Sequence, residues 1–413
     1  MNVCRRHGAA WWCAAAVTWL VPGATHAQPV AGSGPSSVPG VVIDHRPAAG
    51  RQYVGSPSIA ILHDGTYVAS HDLFGPASSE WTAAITDVFA SADRGATWRN
   101  IARIEGAFWS NLFVHDRKLH LLGPTRHHGP LVIRRSVDGG RTWTTPADAR
   151  TGLLAEGEYH TAPMPVLLHA GRIWRAVEDA GGGKEWGKRY MAMMLSAPLD
   201  ADLLDRANWT FSNAIPRDPA WLDGRFTGWL EGNAVATADG RVLDILRVEA
   251  GAIERAAVVS VSADGTTASF DPATGFVDLP GAAKKFAIRR DPAAGARPVW
   301  WMLSNAVPPA FVGTARPASL RNTLVLSRSE NLRDWERRSV ILHHPDHAKH
   351  GFQYVDWLFD GDDLVVVSRT ACDDDAGGAH NFHDANFLTF HRVTGFRSRS
   401  MADSPLDPAT LGW

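Results

Sequence analysis

The sequence predicts an all-β protein, a six-bladed β-propeller built from four-stranded antiparallel sheets. The first observation is a repeated string, S-x-D-x-G-x-T-W, which occurs at residues 91–98 and 136–143, each time after an apolar run. Asp and Gly tolerate the left-handed backbone of a tight hairpin, the Asp carboxylate accepts turn N–H groups, and the Trp packs back over the turn. The second observation is that six stretches repeat an apolar strand, a short turn and a second strand. Together they indicate a ring of small repeated sheets.

The six predicted inner strands are apolar on both faces, as expected of strands that line a packed central shaft. In blade order they are predicted at residues 56–62, 109–114, 161–168, 232–237, 285–290 and 352–359. The hairpin before the outer strand is predicted at 262–265 in blade four and 329–335 in blade five, and as a stretched turn at 196–209 in blade three. Blade six has a third strand at 386–391 and little after it, so Val41–His45 is predicted to supply its outer strand and close the ring. Six blades are favoured over five or seven.

The first 27 residues have the pattern of a secretory signal peptide. Arg5 and Arg6 supply the charged start, residues 9–21 the apolar stretch, and Thr25-His26-Ala27 a small-residue cleavage site. The apolar run is too short to span a membrane comfortably. The predicted organisation is a signal peptide at 1–27, a linker at 28–40 and a single propeller domain at 41–413. We expect an exported protein, periplasmic or extracellular, with no membrane association after signal removal.

The overall charge narrows the range of partners. The 413-residue chain has a formal net charge of −2, which provides no global field for nucleic acid, so no nucleic-acid partner is predicted. Any anion binding must therefore come from local arginines. The chain has 17 tryptophans; some pack turns, and others are candidates for sugar platforms, because aromatic faces bury the apolar faces of pyranose rings. A monomer is expected.

The candidate functional residues cluster on one predicted rim. In this topology the hairpins and the first turns share one rim, so a ligand would meet the opposite rim, where residues enter each inner strand and leave each second strand. Arginine, carboxylate, histidine and tyrosine side chains converge there. The residues predicted at this rim are Ser70, His71, Asp72, Arg126, His127, His128, Tyr159, His160, Arg175, Glu178, Asp179, Glu231, Arg247, Glu249, Asn305, Arg321, His350, Tyr354 and Arg369.

The repeated string is the Asp-box, and the chain resembles the sialidase-like β-propellers that carry these Asp-box (BNR) repeats, a family related to exo-α-sialidases. In that family a Glu enters the fourth inner strand and an Arg leaves the next strand; Glu231, Asp239-Gly240-Arg241 and Arg247 look like that unit. The stretch that begins at Arg321 resembles the strand that brings another carboxylate-binding arginine. Tyr354 lies near the place of the family's nucleophilic tyrosine.

This resemblance implies a secreted exo-glycosidase that removes a terminal, anionic sugar from an oligo- or polysaccharide. Glu231 would deprotonate Tyr354, whose phenolate would attack the anomeric carbon. A tyrosine nucleophile suits an anionic substrate, because a carboxylate nucleophile would be repelled by it. Arg247 and Arg321 would hold the sugar carboxylate in forked hydrogen bonds.

The chain departs from the family at the first inner strand. Sialidases carry there the first of three arginines that clamp the substrate carboxylate, whereas this sequence has Gly55. The candidates to replace it are arginines of neighbouring blades, namely Arg51, Arg126, Arg175 and Arg369. His160 is a further candidate for substrate binding. For the general acid of the following loop Asp72 fits best, next to His71, with Glu80 and Asp87 also available.

The histidines support alternative hypotheses. A β-propeller polysaccharide lyase, or a rhamnosidase-type enzyme acting next to a uronic acid, would use a base such as His71 together with a tyrosine. A non-catalytic glycan-binding propeller is the third alternative. No cofactor is required by any of these, although the loop with His380, His383 and Asp384 could also bind a divalent ion, or could be only a solvated lip.

Overall fold

Six antiparallel sheets follow one another along the chain in the computed structural model, which describes residues 38–413. The first strands in chain order are β1 (Val41–His45), β2 (Tyr53–Ile61), β3 (Tyr67–Phe74), β4 (Ile85–Ser91), β5 (Arg99–Glu105), β6 (Asn111–His115), β7 (Lys118–Pro124), β8 (Leu131–Ser136), β9 (Leu153–Ala155), β10 (Tyr159–His160), β11 (Leu167–His169), β12 (Arg172–Asp179), β13 (Met191–Pro198) and β14 (Thr210–Phe211). The later ones are β15 (Gly228–Ala236), β16 (Val242–Glu249), β17 (Ala256–Val261), β18 (Ala268–Ser269), β19 (Phe276–Val277), β20 (Ala287–Arg290), β21 (Trp300–Ser304), β22 (Thr323–Ser329), β23 (Glu336–His343), β24 (Gly351–Asp360), β25 (Asp363–Ala371) and β26 (Phe387–Val393).

Helical structure in the described residues is limited to short turns. One α-helical turn, α1, spans Trp221–Gly224. The 3-10 turns are Ala48–Gly50, Arg206–Asn208, Pro309–Phe311, Pro317–Ser319, Phe396–Ser398, Met401–Asp403 and Pro408–Leu411. No helix among residues 38–413 is long and apolar enough to cross a membrane.

The sheets confirm the predicted six-bladed β-propeller. Blade one is β2-β3-β4-β5, blade two β6-β7-β8-β9 and blade five β20-β21-β22-β23, with neighbours hydrogen-bonded in that order. Blades three and four each have one additional short strand. In blade six β1 pairs with β26, so the N-terminal strand supplies the outer strand of the last blade, as predicted.

The inner strand of blade three differs from its prediction. A continuous strand was expected over 161–168, but β10 and β11 pair separately with β12, and the segment between them is irregular. Pro163 and Pro165 lie in that segment. Proline has no N–H to donate to a sheet ladder, so the two prolines in this segment interrupt the strand.

The core consists of apolar layers between neighbouring blades. One layer joins blades five and six through Trp301, Leu324 and Trp357, all essentially excluded from solvent. Another joins blades four and five through Ile245 and Trp300. Because strands are apolar on both faces, each blade can bury surface against both neighbours, and the described residues form one closed ring. The predicted signal peptide at 1–27 and most of the predicted linker at 28–40 lie outside the described residues.

The two S-x-D-x-G-x-T-W segments form hairpins with the expected hydrogen bonds; we call them the Ser–Asp hairpins. Asp138 Oδ1 accepts the Thr142 N–H at 2.9 Å, and the Trp143 indole N–H donates to the Gly140 carbonyl at 2.9 Å. Asp93 accepts the Thr97 N–H in the same way at 2.9 Å. Residues of the second hairpin line a groove together with the first turn of blade one, 62–64, so these turns share one rim. We call the opening at the opposite rim the mouth.

Candidate active site

Two inner-strand residues in bulges near the mouth have a left-handed backbone. Glu231 in β15 has a φ of 55°, and Tyr354 in β24 has a φ of 53°. Each lies where the pairing register shifts, between Leu230 and Gly232 in one strand and between Gln353 and Asp356 in the other. A bulky residue in this left-handed region costs about 1–3 kcal/mol, which persists only where the surrounding structure enforces it. Such strain is concentrated at functional sites, and here both bulges lie near the mouth end of an inner strand.

The strained residues contact each other across the ring. The Tyr354 hydroxyl donates a hydrogen bond to Glu231 Oε1 at 2.8 Å. Glu231 also pairs with Arg247, whose Nη1 lies 3.0 Å from Glu231 Oε2 and 3.4 Å from the Tyr354 hydroxyl. Blades four and six are not neighbours, so this contact bridges the central opening. The predicted Glu–Arg–Tyr cluster is therefore present as a geometric unit.

The electrostatics keep Glu231 charged. Burial by itself would raise the pKa of Glu231, but the adjacent Arg247 guanidinium, His160 and the Tyr354 hydroxyl bring that pKa below its ordinary value. Burial and the Glu231 charge raise the pKa of Tyr354, while Arg247, Arg321 and Arg369 act in the opposite direction. At neutral pH the pair is consequently a carboxylate that accepts the proton of a neutral phenol, the arrangement a general base needs.

Two further arginines cover the Tyr354 ring. The guanidinium carbon of Arg321 lies 5.4 Å from the ring centroid, and that of Arg369 lies 5.2 Å from it. Arg369 also stacks over Phe74 at 4.3 Å and donates to the His383 carbonyl. Among the described residues, neither the Nε of Arg247 nor that of Arg369 has a hydrogen-bond partner, although both atoms are buried. Three cations thus surround one carboxylate and one phenol, which favours an anionic ligand.

Gly55 leaves no room for the missing arginine. A Cβ at residue 55 would come within 2.5 Å of the Asp72 carbonyl oxygen and 2.6 Å of Asp72 Oδ1. The Asp72 carboxylate occupies this place and accepts the Ser56 N–H at 2.6 Å. Arg369, from the neighbouring blade six, comes close to this place, since the Asp72 charge is among those that act on the pKa of Arg369.

Replacing Gly55 with alanine is expected to lower the free energy of unfolding by about 1–3 kcal/mol, because the new methyl group collides with backbone and a locked carboxylate. Urea unfolding measures this change. Gly50→Ala is the matched control, since nothing lies within 4 Å of a Cβ there, and a change within about 0.5 kcal/mol is expected. Equal effects of the two substitutions would contradict the packing described around Asp72.

Asp72 and Glu80 differ in their access to a ligand. The two Asp72 oxygens accept backbone N–H groups of Ser56 and Trp109, and the side chain is buried. Glu80 is only half-buried, accepts the Gly75 N–H at 3.3 Å, and interacts with the charges of Asp72 and Arg369. Burial, followed by the nearby Asp72 charge, raises the pKa of Glu80 to about 7. The geometry therefore favours Glu80 over Asp72 as a proton donor at the mouth.

Two of the predicted site residues, His71 and Arg175, lie outside this cluster. His71 is fully buried, with Nε2 2.9 Å from Asp44 Oδ2 and Nδ1 3.0 Å from the Asp72 carbonyl. Arg175 is fully buried and bonds Asn111 Oδ1 and the carbonyls of residues 162 and 176. Arg126 lies in the blade-two loop next to His127. The structure thus brings neither His71 nor Arg175 to the mouth, because both satisfy polar atoms inside the fold.

His160 lies at the edge of the cluster. Its Nδ1 is 2.7 Å from Glu178 Oε2, and its ring stacks on Tyr190 with centroids 4.2 Å apart. Burial lowers the pKa of His160 to about 3, although the Glu231 charge opposes this, so the ring is neutral at physiological pH. His160 is thus a neutral ring that is held by Glu178 and lies near enough to Glu231 for the Glu231 charge to act on its pKa.

The possible metal ligands are already engaged with protein partners. His380 and His383 each hydrogen-bond Asp384, at 2.7 Å and 2.9 Å, which occupies both carboxylate oxygens. Within residues 38–413, a group whose ligand atoms lie within 4.8 Å of one another is Asp44, His71 and Asp87. Arginines 46 and 103 pair with the carboxylates of that group at 2.7–2.8 Å.

Some residues at the mouth were not identified from the sequence as site residues. Trp109 (φ 47°) begins blade two, and its ring packs on His127 and His160 with centroid distances of 4.5 and 4.6 Å. Trp81 is 59% exposed on the loop after β3. The only sequence signal for them is the tryptophan content, which does not separate turn-packing rings from ligand platforms.

Comparisons with known proteins support the fold. No protein-family model matches the sequence, and the search of curated proteins finds no match. Among solved structures, the chain is similar to the Hadza microbial sialidase Hz136, with a TM-score of 0.59 and 12% identity over 86% of this chain and 68% of that one. It is also similar to a leech intramolecular trans-sialidase, with a TM-score of 0.53 and 12% identity over 87% and 70% of the two chains.

A further similar structure carries a different activity in its name. An α-L-arabinanase from Penicillium chrysogenum, complexed with arabinobiose, has a TM-score of 0.51 and 15% identity, covering 88% of this chain and all of its own. At such identities the likeness establishes the propeller architecture alone. The neighbours named here are two sialidase-type proteins and an arabinanase, so the shared propeller fold does not by itself select a ligand for this chain.

Proposed function

We propose that the protein is a retaining exo-glycosidase that removes a terminal anionic sugar from an oligo- or polysaccharide. The observation that supports this is the Tyr354–Glu231 hydrogen bond at 2.8 Å, with Arg247 bonded to Glu231 and two more arginines, Arg321 and Arg369, over the Tyr354 ring. Glu231, kept ionised by Arg247, makes Tyr354 a nucleophile that carries no charge until it reacts. An anionic sugar can approach such a nucleophile without the repulsion a carboxylate would exert.

The reaction has two displacements at the anomeric carbon. In the first, the Tyr354 oxygen bonds the anomeric carbon, Glu231 takes the phenol proton, and the bond to the leaving oxygen breaks as Glu80 protonates that oxygen. In the second, Glu80, now a carboxylate, takes a proton from water, whose oxygen bonds the anomeric carbon. The bond to Tyr354 then breaks, and Glu231 returns its proton to the phenolate. Two inversions leave the configuration retained.

The arginines have separate tasks in this scheme. Arg247 remains bound to Glu231 and lies 3.4 Å from the Tyr354 hydroxyl, so it stabilises charge that moves between these groups. Arg321 and Arg369 lie over the tyrosine ring and would bind the sugar carboxylate. Arg369 replaces the arginine that Gly55 excludes, but it enters from blade six, so the anionic group would sit in an altered orientation.

A glycoside panel tests this function. Wild-type protein would be incubated with glycosides of nonulosonic acids, glycosides of uronic acids, and neutral arabinosides, with NMR detection of the first-formed anomer. Hydrolysis of anionic glycosides with retention, and labelling of Tyr354 by a fluorinated glycosyl fluoride, is the expected result. Turnover of arabinosides alone would overturn the proposal. An unsaturated, ultraviolet-absorbing uronate product would instead indicate a lyase, and binding without turnover a lectin.

Replacing Arg369 with alanine is expected to lower kcat/KM for an anionic glycoside by about 10- to 100-fold, the effect of losing a hydrogen bond to a charged group. Steady-state kinetics would show the loss mainly in KM. Arg241→Ala is the control, since it removes the same charge from an exposed side chain paired with Asp239 near the opposite rim. If both variants lost activity equally, the clamp assignment of Arg369 would be wrong.

A further inference from the structure

The mouth carries an aromatic surface that the proposed reaction does not use. Trp81 and His127 stack with ring centroids 3.8 Å apart and an interplanar angle of 28°, and Trp109 packs on the same histidine at 4.5 Å. We call Trp81, Trp109 and His127 the aromatic shelf. Trp81 is 59% exposed, and Trp109 is partly exposed. A tryptophan face this open gains little from folding, so a role in core packing does not account for it.

The shelf is uncharged and held in place. Burial and the neighbouring His128 lower the pKa of His127 to about 3, so its ring is neutral at physiological pH. The backbone N–H of His127 donates to the backbone carbonyl of Glu80 at 2.8 Å, and this bond connects the loops of blades one and two. The Ser79 hydroxyl donates to the Ala83 carbonyl at 2.6 Å and closes the turn that presents Trp81. These bonds preorganise the indole, which reduces the entropy lost on ligand binding.

The position of the shelf identifies its ligand. Trp81 follows Glu80 directly in the chain, and Glu80 is the group that donates a proton to the leaving oxygen in the proposed function, on which this step rests. The first sugar of the leaving group, which carries that oxygen, must therefore lie beside Glu80 and next to Trp81. The anionic sugar lies on the other side of the oxygen, toward Tyr354 and its arginines.

We infer that the aromatic shelf is the binding site for the leaving group, and that this leaving group begins with a neutral pyranose ring. The C–H face of a pyranose packs on an exposed indole, whereas a charged group would lose hydration there without an ion partner in the shelf. The enzyme would then recognise two units of its substrate: an anionic terminal sugar at the arginines, and a neutral sugar at Trp81.

Direct binding of neutral sugars tests the shelf without turnover. Lactose, cellobiose and xylobiose would be titrated into wild-type protein, Trp81→Ala and Trp81→Phe by calorimetry and indole fluorescence. Wild-type binding of at least one disaccharide, weakened about two- to tenfold in Trp81→Ala and less in Trp81→Phe, is the expected result. Val137→Ala is the control, because this exposed side chain belongs to the second Ser–Asp hairpin on the opposite rim. No binding by wild type, or equal binding by Trp81→Ala, would overturn the inference.

A kinetic arm separates this inference from the proposed function. For an anionic sugar that the wild type hydrolyses, its lactoside and its glycosyl fluoride would be compared, since the fluoride has no leaving sugar. Trp81→Ala should raise KM for the lactoside and leave the fluoride unchanged; equal losses on both substrates would contradict the shelf. If wild type hydrolyses neither substrate but binds a disaccharide through Trp81, the proposed function fails, and the shelf stands as a neutral-sugar site without its leaving-group role.

Discussion

Replacing Tyr354 with phenylalanine is expected to reduce turnover of an anionic glycoside on the order of 10³-fold or more, the scale of losing a nucleophile. The ring, its contacts with Arg321 and Arg369 and the bulged backbone are all retained, while the atom that bonds the anomeric carbon is removed. Glu231→Gln should cause a loss of similar size, because an amide cannot accept the phenol proton. The double variant should be scarcely slower than either single variant, since the two groups act as one unit.

Tyr67→Phe is the matched control for this prediction. Its hydroxyl donates to Asp360 at 2.6 Å and joins blade one to blade six, so its loss should lower stability and leave kcat unchanged. Single-turnover kinetics and thermal unfolding of all four variants separate the two effects. Unimpaired turnover in Tyr354→Phe would show that the strained tyrosine has another purpose.

Replacing Glu80 with glutamine is expected to slow hydrolysis of glycosides with poor leaving groups by about 10²- to 10⁴-fold, the usual contribution of a general acid. The pKa of Glu80, raised to about 7 by burial and the Asp72 charge, also predicts the pH dependence. Glu80 is protonated below this value and Glu231 is ionised, so kcat/KM should fall as the pH rises through about 7. This alkaline limb should vanish in Glu80→Gln.

Azide distinguishes a catalytic Glu80 from a structural one. The small anion can attack the glycosyl-tyrosine intermediate without a general base, so it should restore turnover of an activated glycoside by Glu80→Gln and yield the retained glycosyl azide. A merely structural defect would not respond. If azide has no effect and the alkaline limb persists, the proton donor is another group, with Asp72 the next candidate.

The large features of the fold follow from local sequence. The Ser–Asp hairpins and the apolar inner strands rest on turn chemistry and periodicity, which act within a few residues. The closure by Val41–His45 pairs Val41 with the distant Phe390, and the sequence indicates it because blade six otherwise lacks an outer strand. The Glu231–Arg247 pair could also be predicted from the sequence, because the two residues are sixteen positions apart on adjacent strands of one hairpin. A proline-interrupted strand in blade three was overlooked, although Pro163 and Pro165 gave the signal.

Contacts between blades were decided only by the tertiary structure. Tyr354 meets Glu231 over 123 residues of sequence, a contact that the sequence indicated only through the family resemblance. The bulges that orient both side chains have no periodic signature. The sequence did not distinguish among the four arginines that could replace the one missing at Gly55. In the structure, packing against Phe74 brings Arg369 to Tyr354. The physical reason is the same in each case: a side chain's partner is set by burial and by the conformation of distant backbone, whereas a turn is set by its own residues.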